Sequence, residues 1–221
     1  MSTKTALVAG ASGLVGSNLL NLLINDPAFE RVKVITRKPL GIQSEKISEL
    51  IINFDELNQH AQKLSADVVF CCLGTTIRTA GSQENFRKVD FTYCVELAKV
   101  AKSQGAKQFI LVSSIGADAS SSNFYLKTKG ETEEAISALH IDRFAIMRPS
   151  MLLGDRKEFR AGELAGKFIM QALSFAFVGG LKKYKGIQAE TVARCMITAS
   201  KNPEKGKMIF EGDLIGKYAG K

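Results

Sequence analysis

The hydrophobic positions change period from one segment to the next. Residues 5–9 form a short apolar run that ends at Gly10. Beyond the glycines, Leu14, Val15, Leu19, Leu20, Leu22 and Leu23 recur at helical spacing until Asn25-Asp26-Pro27 stops the pattern. Residues 32–36 predict a second strand, Ile51 and Ile52 sit in a third, and 56–64 predict a short helix. Residues 68–72 are apolar throughout, as expected of a strand buried on both faces. Ser82 then suits the N-cap of a long helix carrying Phe86, Val89, Tyr93, Leu97 and Val100 on one face, with Gly105 placed to end it. A strand at 109–112, a helix at 124–139 and a strand at 144–147 closed by Pro149 complete the alternation. Such a β-α-β series predicts an α/β fold, a Rossmann-like doubly wound parallel sheet with helices on both faces. The rest is less regular: a polar loop at 155–166, helices at 164–177 and 189–200, and a short strand at 208–210.

The chain of 221 residues suffices for one α/β domain with a real core and is too short for two full-sized ones. We therefore expect one domain over 1–221, with an α/β core at 1–150 and a smaller segment at 151–221. Nothing approaches the roughly 20 consecutive apolar residues of a membrane helix, and the N-terminus lacks the pattern of a secretory signal. Cys71, Cys72, Cys94 and Cys195 have neither CxxC spacing nor histidine neighbours, which argues for reduced thiols and a cytoplasmic location, with no metal site. Cys71 and Cys72 should point to opposite faces of a buried strand. The formal net charge is +8, but the basic residues are dispersed and form no run flanked by aromatics. An anionic small-molecule ligand accounts for that charge without nucleic acid.

The chemistry concentrates at three places. Gly10-Ala-Ser-Gly13-Leu-Val-Gly16 is a G-x-x-G-x-x-G turn between a predicted strand and a predicted helix. Glycine lets the backbone turn tightly and approach a pyrophosphate, whose charge suits the N–H groups and dipole of the helix N-terminus. The second strand ends Thr36-Arg37-Lys38, with no carboxylate to take a ribose 2′-hydroxyl. Two cations there fit a 2′-phosphate, and hence NADP(H), with Ser12 as an added hydroxyl donor. Tyr125 and Lys129 lie at i and i+4 on one helical face, downstream of a strand ending Val112-Ser113-Ser114. A nearby ammonium favours a phenolate, so the pair suits proton transfer while a serine hydroxyl holds a carbonyl oxygen.

In this order, with Cys72-Leu-Gly74-Thr75-Thr76 and Arg148-Pro149-Ser150 added, the motifs resemble the short-chain dehydrogenase/reductase superfamily in its atypical branch. The segments GASGLVG, CCLGTT, VSSIGAD, SSNFYLKTKGE and RPSMLLGDRKEFRAGE resemble its Tat-interacting-protein oxidoreductase subfamily. That resemblance implies Gly10, Ser12, Gly13, Leu14, Val15 and Gly16 around the pyrophosphate, and Arg37 and Lys38 at the 2′-phosphate. Leu73, Gly74 and Thr75 would line the adenosine and ribose, with Pro149 and Ser150 along the nicotinamide. Asn53 or Asp55 falls at the adenine position, and the subfamily pattern favours Asn53, beside Phe54. Ser114, Tyr125 and Lys129 would be catalytic, with Ser113 a neighbour that orients Ser114. The superfamily's relay asparagine is matched only by Asp90, a departure. Arg156, Arg160 and Glu163 fall where such folds elaborate a substrate pocket.

Together these readings predict an NADPH-dependent oxidoreductase acting on a small carbonyl compound. A protein partner and a homodimer are compatible with that reading. The alternative is an NADP(H)-sensing regulatory protein without turnover. A sugar-nucleotide epimerase would need a larger C-terminal portion than the chain provides.

Overall fold

The computed structural model of the chain describes residues 3–154 and 186–220. Its strands are β1 (Lys4–Ala9), β2 (Phe29–Thr36), β3 (Ile47–Ile51), β4 (Val68–Cys71), β5 (Gln108–Val112), β6 (Arg143–Arg148), β7 (Leu152–Leu153), β8 (Ile187–Gln188) and β9 (Gly206–Glu211). Seven of them make one sheet in the order β3-β2-β1-β4-β5-β6-β9, and β7 pairs with β8 apart from it. Every neighbouring pair is parallel. The first six strands thus have the doubly wound order whose direction of winding reverses between β1 and β4. Ala6 of β1 faces Val32 of β2 on one side and Val68 of β4 on the other, which fixes the register at the centre.

The helices are α1 (Leu14–Asn25), α2 (Ile77–Ala80), α3 (Gln83–Arg87), α4 (Tyr93–Ser103), α5 (Phe124–Ser137), α6 (Ala189–Lys201) and α7 (Asp213–Ala219). Because side chains alternate along a strand, β1 divides its residues between two cores. Ala6 and Val8 join Leu19, Leu20 and Leu23 of α1 and Val192, Ala193 and Met196 of α6. Leu7 and Ala9 join Leu97, Ala98 and Ala101 of α4 and Ile136 of α5. Each large aliphatic side chain buried this way is worth about 1.5–3 kcal/mol, so α1 is held chiefly by its three leucines. Cys71 and Cys72 do face opposite cores.

The predicted elements are present, with differences that have local causes. The third strand lies at 47–51, slightly earlier than expected, because Ile52 already bonds to the Thr36 carbonyl at 3.0 Å beyond the ladder. The predicted helix at 56–64 is a 3-10 run, Phe54–Leu64, whose start is fixed by the Asn53 side chain accepting from the Asp55 N–H at 3.1 Å. Ser82 caps its helix as expected, accepting from the Asn85 N–H at 3.0 Å, but the long helix is interrupted by a π turn at Lys88–Thr92. Helices α2 and α7 and the β7–β8 pair carried no periodic signal. The readings for 155–166 and 164–177, with Arg156, Arg160 and Glu163, lie outside the described residues.

Candidate functional site

Parallel strands all end on the same edge of a sheet, so the six motifs picked out along the chain converge in space. The glycine turn follows β1, Arg37 and Lys38 follow β2, and Asn53 follows β3. Leu73–Thr75 follow β4, Ser113 and Ser114 follow β5, and Pro149 and Ser150 follow β6. This edge, at the point where the winding reverses, is where open α/β sheets take their ligands.

The turn has the shape a phosphate cradle needs. Gly10 has φ +82°, and a Cβ there would lie 2.4 Å from the Cys72 carbonyl oxygen, so the β1 and β4 loops touch at a residue without a side chain. A Cβ on Gly16 would lie 2.2 Å from the Gly10 oxygen, which lets α1 begin directly against the turn. Helix α1 starts at Gly13 with no capping side chain and no acidic residue in its first turn. Its N-terminal positive end is therefore left for an external anion. Ser12 and Gly13 are exposed, Leu14 is half-buried, and Val15 and Gly16 are packed in the core. On the far side, Gly154 closes on the same helix start, where its Cβ would lie 3.1 Å from Leu14 Cδ1.

Arg37 and Lys38 are exposed, and neither forms an ion pair among the described residues. Their turn is shaped by Thr36, whose hydroxyl donates to the Lys38 carbonyl at 2.7 Å and accepts from the Lys38 N–H at 3.3 Å. Asp55, the other candidate for the adenine position, is engaged by Lys88 at 2.8 Å and by the Tyr93 hydroxyl at 3.0 Å. Those donors hold its carboxyl below the usual range, the Lys88 bond contributing most. Asn53 stays exposed, while the Phe54 ring is buried against Tyr93, 5.5 Å between centroids.

Helix α5 brings the proton-transfer candidates to the same edge. Asn123 caps it by accepting from the Leu126 N–H at 3.1 Å. Gly130 packs so tightly on the preceding loop that a Cβ would lie 2.1 Å from the Ala119 nitrogen. Tyr125 is half-buried with its ring 5.6 Å from that of Phe86. Lys129 is buried, and its Nζ lies 2.7 Å from Oδ1 of Asp90, which the π turn carries inward. Burial draws the Lys129 ammonium pKa down, but its neighbours, Asp90 foremost and then Tyr125 and Cys94, outweigh it and raise the pKa. Asp90 Oδ2 also accepts from the Thr75 N–H at 2.8 Å. Gly74 adjoins the pair, and its Cβ would lie 3.3 Å from Asp90 Oδ1 and 3.7 Å from Lys129 Nζ.

The two serines differ. The Ser113 hydroxyl is buried and donates to Glu133 at 2.5 Å, whereas Ser114 is half-buried with only a 3.3 Å bond to the Ile115 carbonyl. Glu133 also receives Arg148 through its Nε at 3.0 Å and its Nη2 at 2.5 Å, and Arg148 reaches Glu211 at 3.4 Å. The sequence reading missed this group. Its signal was present, since Glu133 stands one turn beyond Lys129 on the same face and Arg148 immediately precedes Pro149.

Among the described residues no cluster of His, Cys, Asp and Glu could hold a metal ion. Cys71 and Cys94 lie 3.6 Å apart at sulfur. The Cys94 thiol is pushed well above its ordinary pKa by that contact and by burial, as befits core residues and not nucleophiles.

A family profile described as NAD(P)H-binding matches residues 10–203. Protein HTATIP2 of Rattus norvegicus is 36% identical over 212 residues, 94% of this chain and 86% of that protein. The chain is an atypical short-chain dehydrogenase/reductase of the HTATIP2 type. Protein FMP52, mitochondrial, of Candida albicans is 40% identical over 227 residues, covering 97% of this chain and 98% of that one. Among solved structures, MoeE5 in complex with UDP-glucose and NAD superposes with TM-score 0.71 at 15% identity, over 96% of this chain and 79% of that one. UDP-glucose 4-epimerase from Thermotoga maritima gives 0.70 at 16%, over 96% and 80%. At such identities these two establish the shared fold alone. The fungal relatives of this reductase type correct one expectation. Absence of a secretory signal and of disulfide spacing suggested the cytoplasm, but those relatives are named as mitochondrial. Reduced thiols do not separate the two compartments. No described helix is long and apolar enough to cross a membrane.

Proposed function

We propose that the chain is an NADPH-dependent oxidoreductase that passes hydride to or from a small carbonyl or hydroxyl compound. The observation that carries this reading is the buried Lys129 ammonium, one helical turn from Tyr125 and beside the side-chain-free backbone of Gly74. A buried ammonium, kept by a buried carboxylate at the edge where such sheets take their ligands, marks a candidate functional group.

Bound NADP(H) would supply the hydride chemistry. The residues fit that dinucleotide: an uncapped, acid-free helix start behind a turn that only glycine can make, and two exposed cations beyond β2 that form no ion pair among the described residues. Gly10, Ser12, Gly13, Leu14, Val15 and Gly16 would hold the pyrophosphate, and Arg37 and Lys38 the 2′-phosphate. Asn53 and the Phe54 backbone would border the adenine, Leu73, Gly74 and Thr75 the ribose, and Pro149 and Ser150 the nicotinamide. Ser114 would donate its hydroxyl hydrogen to the substrate oxygen, since the Ser113 hydroxyl is taken by Glu133. Tyr125 would give or take the proton at that oxygen, and Lys129 would hold the ribose hydroxyls and bias the phenol electrostatically.

Calorimetric titration with NADPH and NADH, followed by a screen of aldehydes and ketones, tests the reading. NADPH should bind more tightly, and Tyr125→Phe should lose turnover by about a hundredfold or more with NADPH affinity nearly unchanged. Selective binding with no turnover of any carbonyl would support a sensor in place of an enzyme. Failure of both nucleotides to bind would remove both.

A further inference from the structure

We propose that Asp90 is a positioning residue, tying the Lys129 ammonium and the Thr75 amide together so that helix α5 and the β4 loop form one rigid wall of the ribose pocket. The inference deepens the reading above and rests on it for the identity of the ligand. Its structural part concerns the chain alone.

Three observations bear on it. Asp90 is 1% exposed, and both of its carboxylate oxygens are directed at other elements: Oδ1 at Lys129 Nζ (2.7 Å) and Oδ2 at the Thr75 N–H (2.8 Å). The backbone around Asp90 is equally constrained, because Thr132 of α5 donates its hydroxyl to the Asp90 carbonyl at 2.9 Å. Asp90 lies within the π turn at Lys88–Thr92, on the side of the helix that packs against α5.

The consequence is chemical. Lys129 is buried, and a buried lysine sheds its proton unless a counter-charge keeps it. The groups facing it are Asp90 from the π turn, Tyr125 from its own helix and Cys94 from α4. Of these, Asp90 alone is a carboxylate. Asp90 therefore keeps Lys129 as a charged donor facing the ribose pocket. Without that charge, Lys129 becomes a neutral amine that titrates within reach of physiological pH and turns nucleophilic.

The test uses the full chain without nucleotide, labelled by acetic anhydride over a pH series and read residue by residue by mass spectrometry. In the native protein Lys129 should acquire label with a midpoint above that of the exposed Lys38 and Lys127. In Asp90→Asn its rate at about pH 8 should rise at least tenfold, because one pKa unit is a tenfold change in free amine. Asp90→Glu should restore the native profile. The pH dependence of nucleotide affinity is the second readout: in Asp90→Asn, NADPH binding should weaken about tenfold between pH 7 and 9 relative to native protein. Equal Lys129 labelling in native and Asp90→Asn chains would overturn the proposal. Were Asp90→Asn not to fold, a native midpoint at or below that of Lys38 would overturn it equally. Should native protein bind no nucleotide, the proposed function falls while the labelling result stands by itself.

Discussion

At the scale of single residues, Glu133 bears most directly on how the site is held. Its carboxylate binds Ser113 at the end of β5 and Arg148 at the end of β6, while its backbone belongs to α5. It thus sets the spacing between the strand that carries Ser114 and the helix that carries Tyr125 and Lys129. Replacing one member of a buried ion pair leaves the other charge without a partner, which costs about 3–5 kcal/mol. Arg148 keeps 21% of its side-chain surface and a second carboxylate, Glu211, so the lower end of that range applies. We expect Glu133→Ala to lower stability by about 3 kcal/mol in urea unfolding, and Glu133→Gln by less. An alanine variant as stable as the native chain would show that the cluster holds nothing. Comparison with the sequence is instructive here. Tyr125 and Lys129 were legible because their i, i+4 spacing is a property of one helix. The partners of Lys129 and Ser113 were not, because a pair such as Asp90 and Lys129 is made by packing between elements.

At the scale of elements, boundaries were read well where a local signal set them. Asp26 shows why the end of α1 was legible. Its carboxylate accepts from the Ala28 N–H at 2.9 Å, and its Oδ2 receives Lys201 from the end of α6 at 2.6 Å. Burial raises the Asp26 pKa, but the Lys201 and Ala28 hydrogen bonds outweigh it and the carboxyl ends below its ordinary value. A carboxylate depressed in the folded state stabilises the protein above its unfolded pKa and stops doing so as pH falls through the folded one. Lys201 is half-exposed, which limits the contribution to about 1 kcal/mol. Thermal unfolding of Asp26→Asn should therefore show a deficit of about that size at neutral pH that closes in acid. A deficit that persisted unchanged at low pH would assign the effect to the cap geometry and not to the charge. The π turn at Lys88–Thr92 is the contrary case. Apolar spacing from Phe86 to Val100 fits one helix, and no residue type in the segment announces the extra residue. The turn holds the buried Asp90, whose partner Lys129 lies on another helix, and periodicity does not record a contact between elements.

For the whole molecule, the parallel sheet was predictable because each strand is short, apolar and followed by helical spacing, whereas the order of the strands came only from the structure. That order gathers the exposed cations of the β2 loop and the helix start at α1 onto one edge of a chain with net charge +8. If that edge takes NADP(H), binding must appear as stability, because a ligand held only by the folded state adds RT ln(1 + [L]/Kd). At a hundredfold excess over Kd this is about 2.7 kcal/mol, or roughly 5–10 °C in Tm for a chain of this size. NADPH should give the larger shift, NADH at the same concentration a smaller one, and Arg37→Ala should bring the two together. Arg37 and Lys38 are exposed, so their part of the attraction is open to screening, whereas the buried Lys129–Asp90 pair is sheltered. Raising the salt to about 1 M, where the Debye length is about 3 Å, should therefore erode the difference between the nucleotides more than the shift they share. Equal shifts from NADPH and NADH at low salt would remove the β2 cations from the account of specificity and leave the glycine turn as the anion site. A selectivity insensitive to salt would instead require a buried contact to the 2′-phosphate.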